Sequence, residues 1–535
     1  MRTTPLLGAG ALAAGAAYAV GAAMRPAGEW VCARVPHACT SAAGARVWHA
    51  GTPLRRAAHV VHAVDRAFPA LVVAGVLAVV GYVVAYMAIE WSRAAFLAQG
   101  LAGVDLLKAA RAPHGSTPSR IPESLGLPCA AVYLFLVLLF IPFRYFGPHA
   151  HGASAAGVHQ DLATLLSALL SMYSGALLGF VDDVLDIRWR YKLPIPLLSS
   201  IPMLVVYVAS GGSTSVVVPA WPPVVRAVLR STSLELGAAY YAYMMLLATF
   251  CTNCINILAG INGVEVGQAL VIAASVCVND LLYLDVRAVV RDALRMPDAP
   301  VAAPAPSDVV ARHLFSLHLL LPFVGTSLAL LAWNRYPARV FVGDTYCYFA
   351  GMVLVAAGIL GHYSKTLLLF FLPQIFNFVL SCPQLFKLVP CPRHRVPAVD
   401  RATGRLVPSC VRLAAHRSRA KQCATRVVLA VLQRTGVVAP VVDTRGQQVG
   451  VTNLTLLNTV LVVRGARPAP VDAALAEKVP PPGADPALPV TGVPGTLSIT
   501  ERGLWYYVMG IQLAGSLLAF GIRYWLAAVV FPVMH

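Results

Sequence analysis

Charge is what this sequence has least of. Only 12% of its 535 residues are charged, while 58% are hydrophobic and the mean hydropathy is +0.70. Soluble domains carry about 25% charged residues. So low a share argues against an ordinary soluble protein and for many membrane spans, because lipid penalises ionisable side chains. Acidic residues are the scarcer kind, with 23 Asp and Glu against 41 Lys and Arg. In a membrane protein that basic excess sits mainly on cytosolic loops near anionic lipid, or serves an anionic substrate. No soluble basic domain stands apart, which argues against nucleic-acid binding. A zinc set is also lacking. Cys251 and Cys254 form a Cys-x-x-Cys, but no second pair or nearby histidine completes it. The eleven cysteines lie mostly inside apolar runs, where packing is the expected role. Cys32 and Cys39 flank a short stretch suited to a disulfide if it is lumenal.

Long apolar runs are abundant. Ten segments are long enough to cross a bilayer: 68–89, 127–146, 161–181, 195–211, 236–257, 266–284, 313–332, 346–361, 366–381 and 504–530. The expected fold class is an all-α polytopic membrane protein of about ten transmembrane helices. Residues 1–67 are an N-terminal extension, whose Ala- and Gly-rich 5–24 reads either as an extra span or as a cleaved signal. Residues 68–381 make a nine-helix transmembrane core, 382–503 an insertion, and 504–535 the last transmembrane helix. The insertion starts basic and turns Pro-rich near 468–494. It holds β-branched apolar stretches at Val427–Leu432 and Thr452–Val463, and is expected to be a small mixed α/β unit on the cytosolic side. Its Asn453-Leu454-Thr455 sequon is expected to stay unmodified there. Stretch 285–312, with Pro297, Pro300, Pro304 and Pro306, reads as an irregular insertion.

The polar motifs fall on alternate loops. Loops 90–126, 182–194, 258–265, 333–345 and 382–503 carry nearly all of them, and the intervening loops look ordinary. Alternate loops lie on one side of a membrane, so the motifs share a face. Arg188, Arg190, Lys192, Arg335 and Arg339 mark that face as cytosolic by the positive-inside rule. Arg226, Arg230, Arg287, Arg291 and Arg295 weigh the other way.

Four motifs carry chemistry. Gly179–Asp186 places Asp182, Asp183 and Asp186 at the end of an apolar span, with Asp182 and Asp186 on one helical face. Clustered acids there are costly unless a cation or catalysis offsets them; the bland alternative is an acidic helix end among headgroups. In Asn253–Gly263, three asparagines, Asn253, Asn256 and Asn262, stand with two glycines, which suggests carbonyl ligands and close backbone approach. Interhelical hydrogen bonding is the alternative. Asp344, in Val340–Thr345, reads alone as a helix cap, or with Asn256 as a hard oxygen pair for Mg²⁺. Arg393-His394-Arg395 suits diphosphate or sugar oxygens, or else lipid headgroups.

Asp182-Asp183, the stretch Leu185–Lys192, the run Asn256–Gly263, Phe341–Asp344 and Cys391–Arg395 stand in the order seen in polyprenyl-phosphate phosphosugar transferases. Over about residues 68–400 the chain resembles the eukaryotic UDP-N-acetylglucosamine–dolichyl-phosphate N-acetylglucosaminephosphotransferase family. The resemblance implies transfer of GlcNAc-1-phosphate from UDP-GlcNAc to dolichyl phosphate, with release of UMP. It implies Mg²⁺, sensitivity to tunicamycin, a homodimer, and an endoplasmic reticulum membrane with the site facing the cytosol. It assigns Asn256 and Asp344 to Mg²⁺, and Lys192, Thr252 and Asn253 to the lipid phosphate. Asp182 and Asp183 are to orient or deprotonate that phosphate or to act as a covalent nucleophile; Asp186 completes their motif. Glu123, Asn262 and Phe341 fall at the uridine pocket, Asp105 and Leu106 are substrate-binding residues of the matching first cytosolic loop, and Arg393, His394 and Arg395 fall at the diphosphate and GlcNAc, with Arg393 stabilising developing charge. Val104 departs from a Gln common in the family. Two rivals share parts of this pattern. A membrane prenyltransferase needs a second Asp cluster, which is missing. A nucleotide-sugar transporter needs a midplane site and paired repeats.

Overall fold

The computed structural model describes residues 60–530, apart from 110–118, 146–154, 219–223, 296–306, 401–402, 414–417, 473–484, 489–491, 494–498 and a few single positions, Asp186 among them. Residues 1–59 of the N-terminal extension, with the 5–24 stretch and the Cys32–Cys39 pair, lie outside the described residues, whereas Ala67 at its end is buried in the main apolar core.

The core helices are α1 (Leu71–Ala98), α2 (Gly126–Tyr145), α3 (Ala155–Leu185), α4 (Ile195–Ala209), α5 (Ala238–Ile257), α6 (Val264–Leu284), α7 (Asp308–Asn334) and α8 (Gly343–Leu360). They are followed by α9 (Ser364–Phe370), α10 (Leu372–Leu385), the insertion helices α11 (Arg419–Arg434) and α12 (Leu456–Val463), and α13 (Glu501–Gly521). Among the described residues eight helices are long and apolar enough to span a membrane. The expected ninth span is broken: α9 and α10 meet at a 71° bend, with Phe371 at the junction and Pro373 next to it. A proline there removes a backbone donor and blocks a straight helix. The 195–211 run forms α4, whose 15 residues reach about 22 Å, less than a bilayer core of about 30 Å.

Burial identifies the centre. In α8, 89% of the apolar window is buried, against 28% in α1 and α13, which face outward. Helices α2, α3, α5 and α7 pack around α8. The α5–α8 crossing is tight because Gly351 lies against the backbone of Thr252, where a Cβ would come within 2.5 Å. Small residues let membrane helices approach this closely.

The insertion is mixed α/β, as expected. Strands β3 (Cys410–Arg412), β4 (Pro440–Val442), β5 (Gln448–Thr452) and β6 (Ala487–Leu488) form an antiparallel sheet in the order β6-β3-β5-β4. Leu429 of α11 joins Leu380 of α10, Val411 and Val451 in one apolar cluster, which ties the unit to the bundle. Asn453 of the sequon is buried and donates its amide to Ser409 Oγ at 2.9 Å. Stretch 285–312 requires a correction. Its first part is a helix, Val286–Arg295, with Val286 and Val289 packed on the core and Arg287, Arg291 and Arg295 exposed. Apolar residues at helical spacing outweigh the later prolines, which fall in 296–306. Cys251 and Cys254 are buried and free.

Candidate active site

The ends of α3, α5 and α8 meet at one pole of the bundle, where the motif-bearing loops gather. Asp344 is the meeting point. Its Oδ2 lies 2.8 Å from Lys192 Nζ, and its Oδ1 accepts from Asn256 Nδ2 at 2.6 Å. Lys192 also pairs with Asp182 Oδ2 at 2.9 Å, and Asp182 Oδ1 accepts from the Ile187 N–H at 3.2 Å. Burial works against the charge of Lys192, but the Asp344 and Asp182 carboxylates outweigh it and raise its pKa.

Asp183 has a different task. Its carboxylate accepts from Asp344 N at 2.6 Å, from Thr345 N at 3.2 Å and from Thr345 Oγ1 at 2.6 Å. The first N–H groups of a helix lack internal partners and carry positive partial charge. Asp183 thus caps α8 from α3, and Asp344, in the first turn, is not itself the cap. Gly343 makes this possible. It holds φ at +73°, and a Cβ there would stand 2.3 Å from Asp183 Oδ2.

A cavity of about 240 Å³ opens beside this cluster. Asp105, Leu106, Glu123, Asn256, Asn262, Phe341 and Asp344 all line it. A short hairpin builds one wall, with β1 (Ala102–Val104) antiparallel to β2 (Arg120–Pro122). Phe341 N donates to Pro122 O at 2.8 Å, so the segment before α8 continues this wall. The Asp105 carboxylate accepts from Asn262 Nδ2 at 3.3 Å and pairs with Lys108 at 3.0 Å. Asn262 in turn accepts from Ala338 N at 2.9 Å, so one side chain ties three loops together. Burial raises the pKa of Glu123, and the Asp183 and Asp344 charges add to it.

The Arg-His-Arg motif adjoins the cavity through Val396, whose side chain covers Gly260. Arg393 and His394 are exposed. Burial lowers the pKa of Arg395, and its Nη1 is buried with no partner among the described residues. Two predicted residues stay apart from the cavity. Thr252 bonds back to Ala248 O at 2.9 Å against α8, and Asn253 Nδ2 donates to Thr249 O at 2.8 Å. Asp186 lies outside the described residues.

Sequence reasoning missed several supporting residues. Glu265, in the first turn of α6, lines the cavity and accepts from Gly260 N at 3.3 Å. From the distant last span, Glu501 Oε1 accepts from Asn262 N at 3.0 Å and Trp505 Nε1 donates to Gly263 O at 2.9 Å. The acid two residues past Gly263 was a visible signal; the contacts from α13 had none.

Asn256 and Asp344 could hold a hard divalent cation only with the Asn256 amide reversed, since its nitrogen now faces Asp344. Turning the Asn256 amide over presents a carbonyl oxygen beside the Asp344 carboxylate. Among the described residues no group of three or more His, Cys, Asp or Glu is arranged to hold a metal ion. Two protein oxygens, with water and phosphate completing the shell, suit Mg²⁺.

The profile described as glycosyl transferase family 4 matches residues 165–362, which run from α3 through α8. The UDP-N-acetylglucosamine–dolichyl-phosphate N-acetylglucosaminephosphotransferase of Saccharomyces cerevisiae is 40% identical over 410 residues, covering 74% of this chain and 85% of that protein. This chain belongs to that family. The enzyme of the same name from Schizosaccharomyces pombe is 37% identical, covering 85% of this chain and 92% of its own length. The family member of Dictyostelium discoideum is 46% identical over 307 residues, or 57% of this chain and 71% of that protein.

Proposed function

We propose that the chain transfers GlcNAc-1-phosphate from UDP-GlcNAc to dolichyl phosphate. The products are GlcNAc-diphosphodolichol and UMP, and the step opens lipid-linked oligosaccharide assembly for N-glycosylation. The observation that carries this reading is the Asp182–Lys192–Asp344–Asn256 cluster, whose Asn256 and Asp344 line the adjoining cavity, in a chain 40% identical to an enzyme of that name.

A phosphate oxygen of the lipid attacks the phosphorus next to GlcNAc. The bond from that phosphorus to the bridging oxygen breaks, and UMP leaves. Repulsion between two anions is the main obstacle. Bound at Asn256 and Asp344, Mg²⁺ would supply charge neutralisation and polarise the phosphorus. Lys192, paired with Asp182 and Asp344, offers an ammonium to the lipid phosphate. Arg393, His394 and Arg395 serve the diphosphate and sugar, and the buried Nη1 of Arg395, without a partner among the described residues, favours this over a headgroup role. Asp105, Leu106, Glu123, Asn262 and Phe341 form the nucleotide end. Asp183 is assigned to hold Asp344 in place, because its carboxylate is already taken up by α8. That engagement favours direct transfer over a covalent intermediate on Asp183.

The assignment extends to an endoplasmic reticulum membrane, a cytosol-facing site and a homodimer. Arg93 and Arg339 stacked on Trp333 at the motif pole support that orientation. The deciding assay is UMP release in detergent. Release that needs both dolichyl phosphate and Mg²⁺ is expected. Release without lipid, or none at all, would refute the reading.

A further inference from the structure

Three glutamines in the apolar interior have no part in the chemistry above. Gln268 of α6, Gln374 of α10 and Gln512 of α13 are all essentially fully buried. Amides are costly in such surroundings unless every group is matched, so their partners are informative. Gln268 Nε2 donates to Ile255 O at 3.0 Å and to Leu258 O at 2.9 Å. Both carbonyls belong to the last turn of α5, where helix geometry leaves acceptors unpaired. Asn256 sits between them. At the other end, Gln512 Nε2 donates to Phe370 O at 2.9 Å, a carbonyl at the break between α9 and α10.

The middle of the chain follows from these ends. Gln268 and Gln512 must turn their nitrogens toward carbonyls, so both of their oxygens face Gln374. Gln374 must then donate twice, and it does: Nε2 lies 2.8 Å from Gln268 Oε1 and 2.6 Å from Gln512 Oε1. Its own Oε1 is left buried without a partner among the described residues. Flipping any one amide would set oxygen against oxygen, so the relay has a single direction. It links the bend of the broken span to the end of the helix that presents Asn256.

We infer that Gln268, held in orientation by Gln374 and Gln512, is a positioning residue for the reaction. Its two donated bonds fix the end of α5 and therefore where the Asn256 side chain meets Asp344. This rests on the transferase activity proposed above. Gln268→Leu keeps the volume and removes the amide. The test uses full-length protein in detergent, with wild type alongside, and reads UMP release, thermal unfolding and amide hydrogen exchange.

Expected for Gln268→Leu is a fall in kcat of at least tenfold, a KM for UDP-GlcNAc within threefold of wild type, and faster exchange confined to about residues 253–262. A folded variant with kcat within twofold of wild type overturns the inference. Exchange raised evenly across the bundle also overturns it, since that marks a general stabilising role. Should Gln268→Leu fail to fold, Gln512→Leu loosens only the outer end. A three- to tenfold loss of kcat with the same local exchange pattern is then expected, and wild-type values in both readings overturn the inference. If wild type itself releases no UMP, the activity assignment fails, while the exchange experiment still tests the relay.

Discussion

Adding one methyl group at Gly343 should disable the site. The backbone there holds φ at +73°, and leaving glycine for alanine in that region costs about 1–2 kcal/mol. The new Cβ would stand 2.3 Å from Asp183 Oδ2 on one side and 2.8 Å from Ser124 Cα on the other. Ser124 is backbone and cannot yield, so the Asp183 carboxylate must move by about 1 Å to reach ordinary contact. That breaks at least one of the bonds from Asp344 N or Thr345, each worth about 1.5–3 kcal/mol because the acceptor is charged. The sum is about 2.5–5 kcal/mol, concentrated where α8 presents Asp344. Borne by the geometry of the reacting groups, it corresponds to a loss of about 10²- to 10⁴-fold in turnover. UMP release and a thermal unfolding curve read the two consequences. Gly100→Ala is the control. Gly100 has φ +77° but nothing within 4 Å of a Cβ, so only the backbone cost applies and turnover should hold. Gly343→Ala with turnover within threefold of wild type would refute the reasoning.

Asp344→Ala should abolish transfer while the protein elutes and melts as a folded species; near-normal turnover at saturating Mg²⁺ would sink the ligand assignment. Arg395→Lys should lower turnover at least tenfold, because the planar fork is lost from a buried position, whereas unchanged turnover favours lipid headgroups. Glu123→Gln should raise the melting temperature at pH 8. Burial and the Asp183 and Asp344 charges raise the Glu123 pKa, so the ionised form costs stability above that pKa, and a neutral side chain removes the cost. The gain should shrink as pH falls through the raised pKa; a gain that grows with acidity would contradict the sign.

Several features were legible in the chain itself. Scarcity of charge and the lengths of apolar runs are one-dimensional properties of a span, so the membrane fold could be read without coordinates. Alternation of loops put the motifs on one face, and the cluster joining Lys192, Asn256 and Asp344 does lie at one pole. The 71° break in the ninth span and the shortness of α4 were less visible, because hydropathy does not distinguish a bent pair from a straight helix.

What tertiary structure decided was the division of labour between neighbours. Asp182 and Asp183 are adjacent in sequence and equal in chemistry. Successive residues on a helix point about 100° apart, so one meets Lys192 and the other caps α8. No spacing rule foretells which. The same holds for Gln268, Gln374 and Gln512, which are far apart in the chain and carry no motif. Composition and periodicity settle that a chain enters the membrane. Only packing settles which buried amide meets which carbonyl, because hydrogen bonds are directional and short while hydrophobic burial is neither.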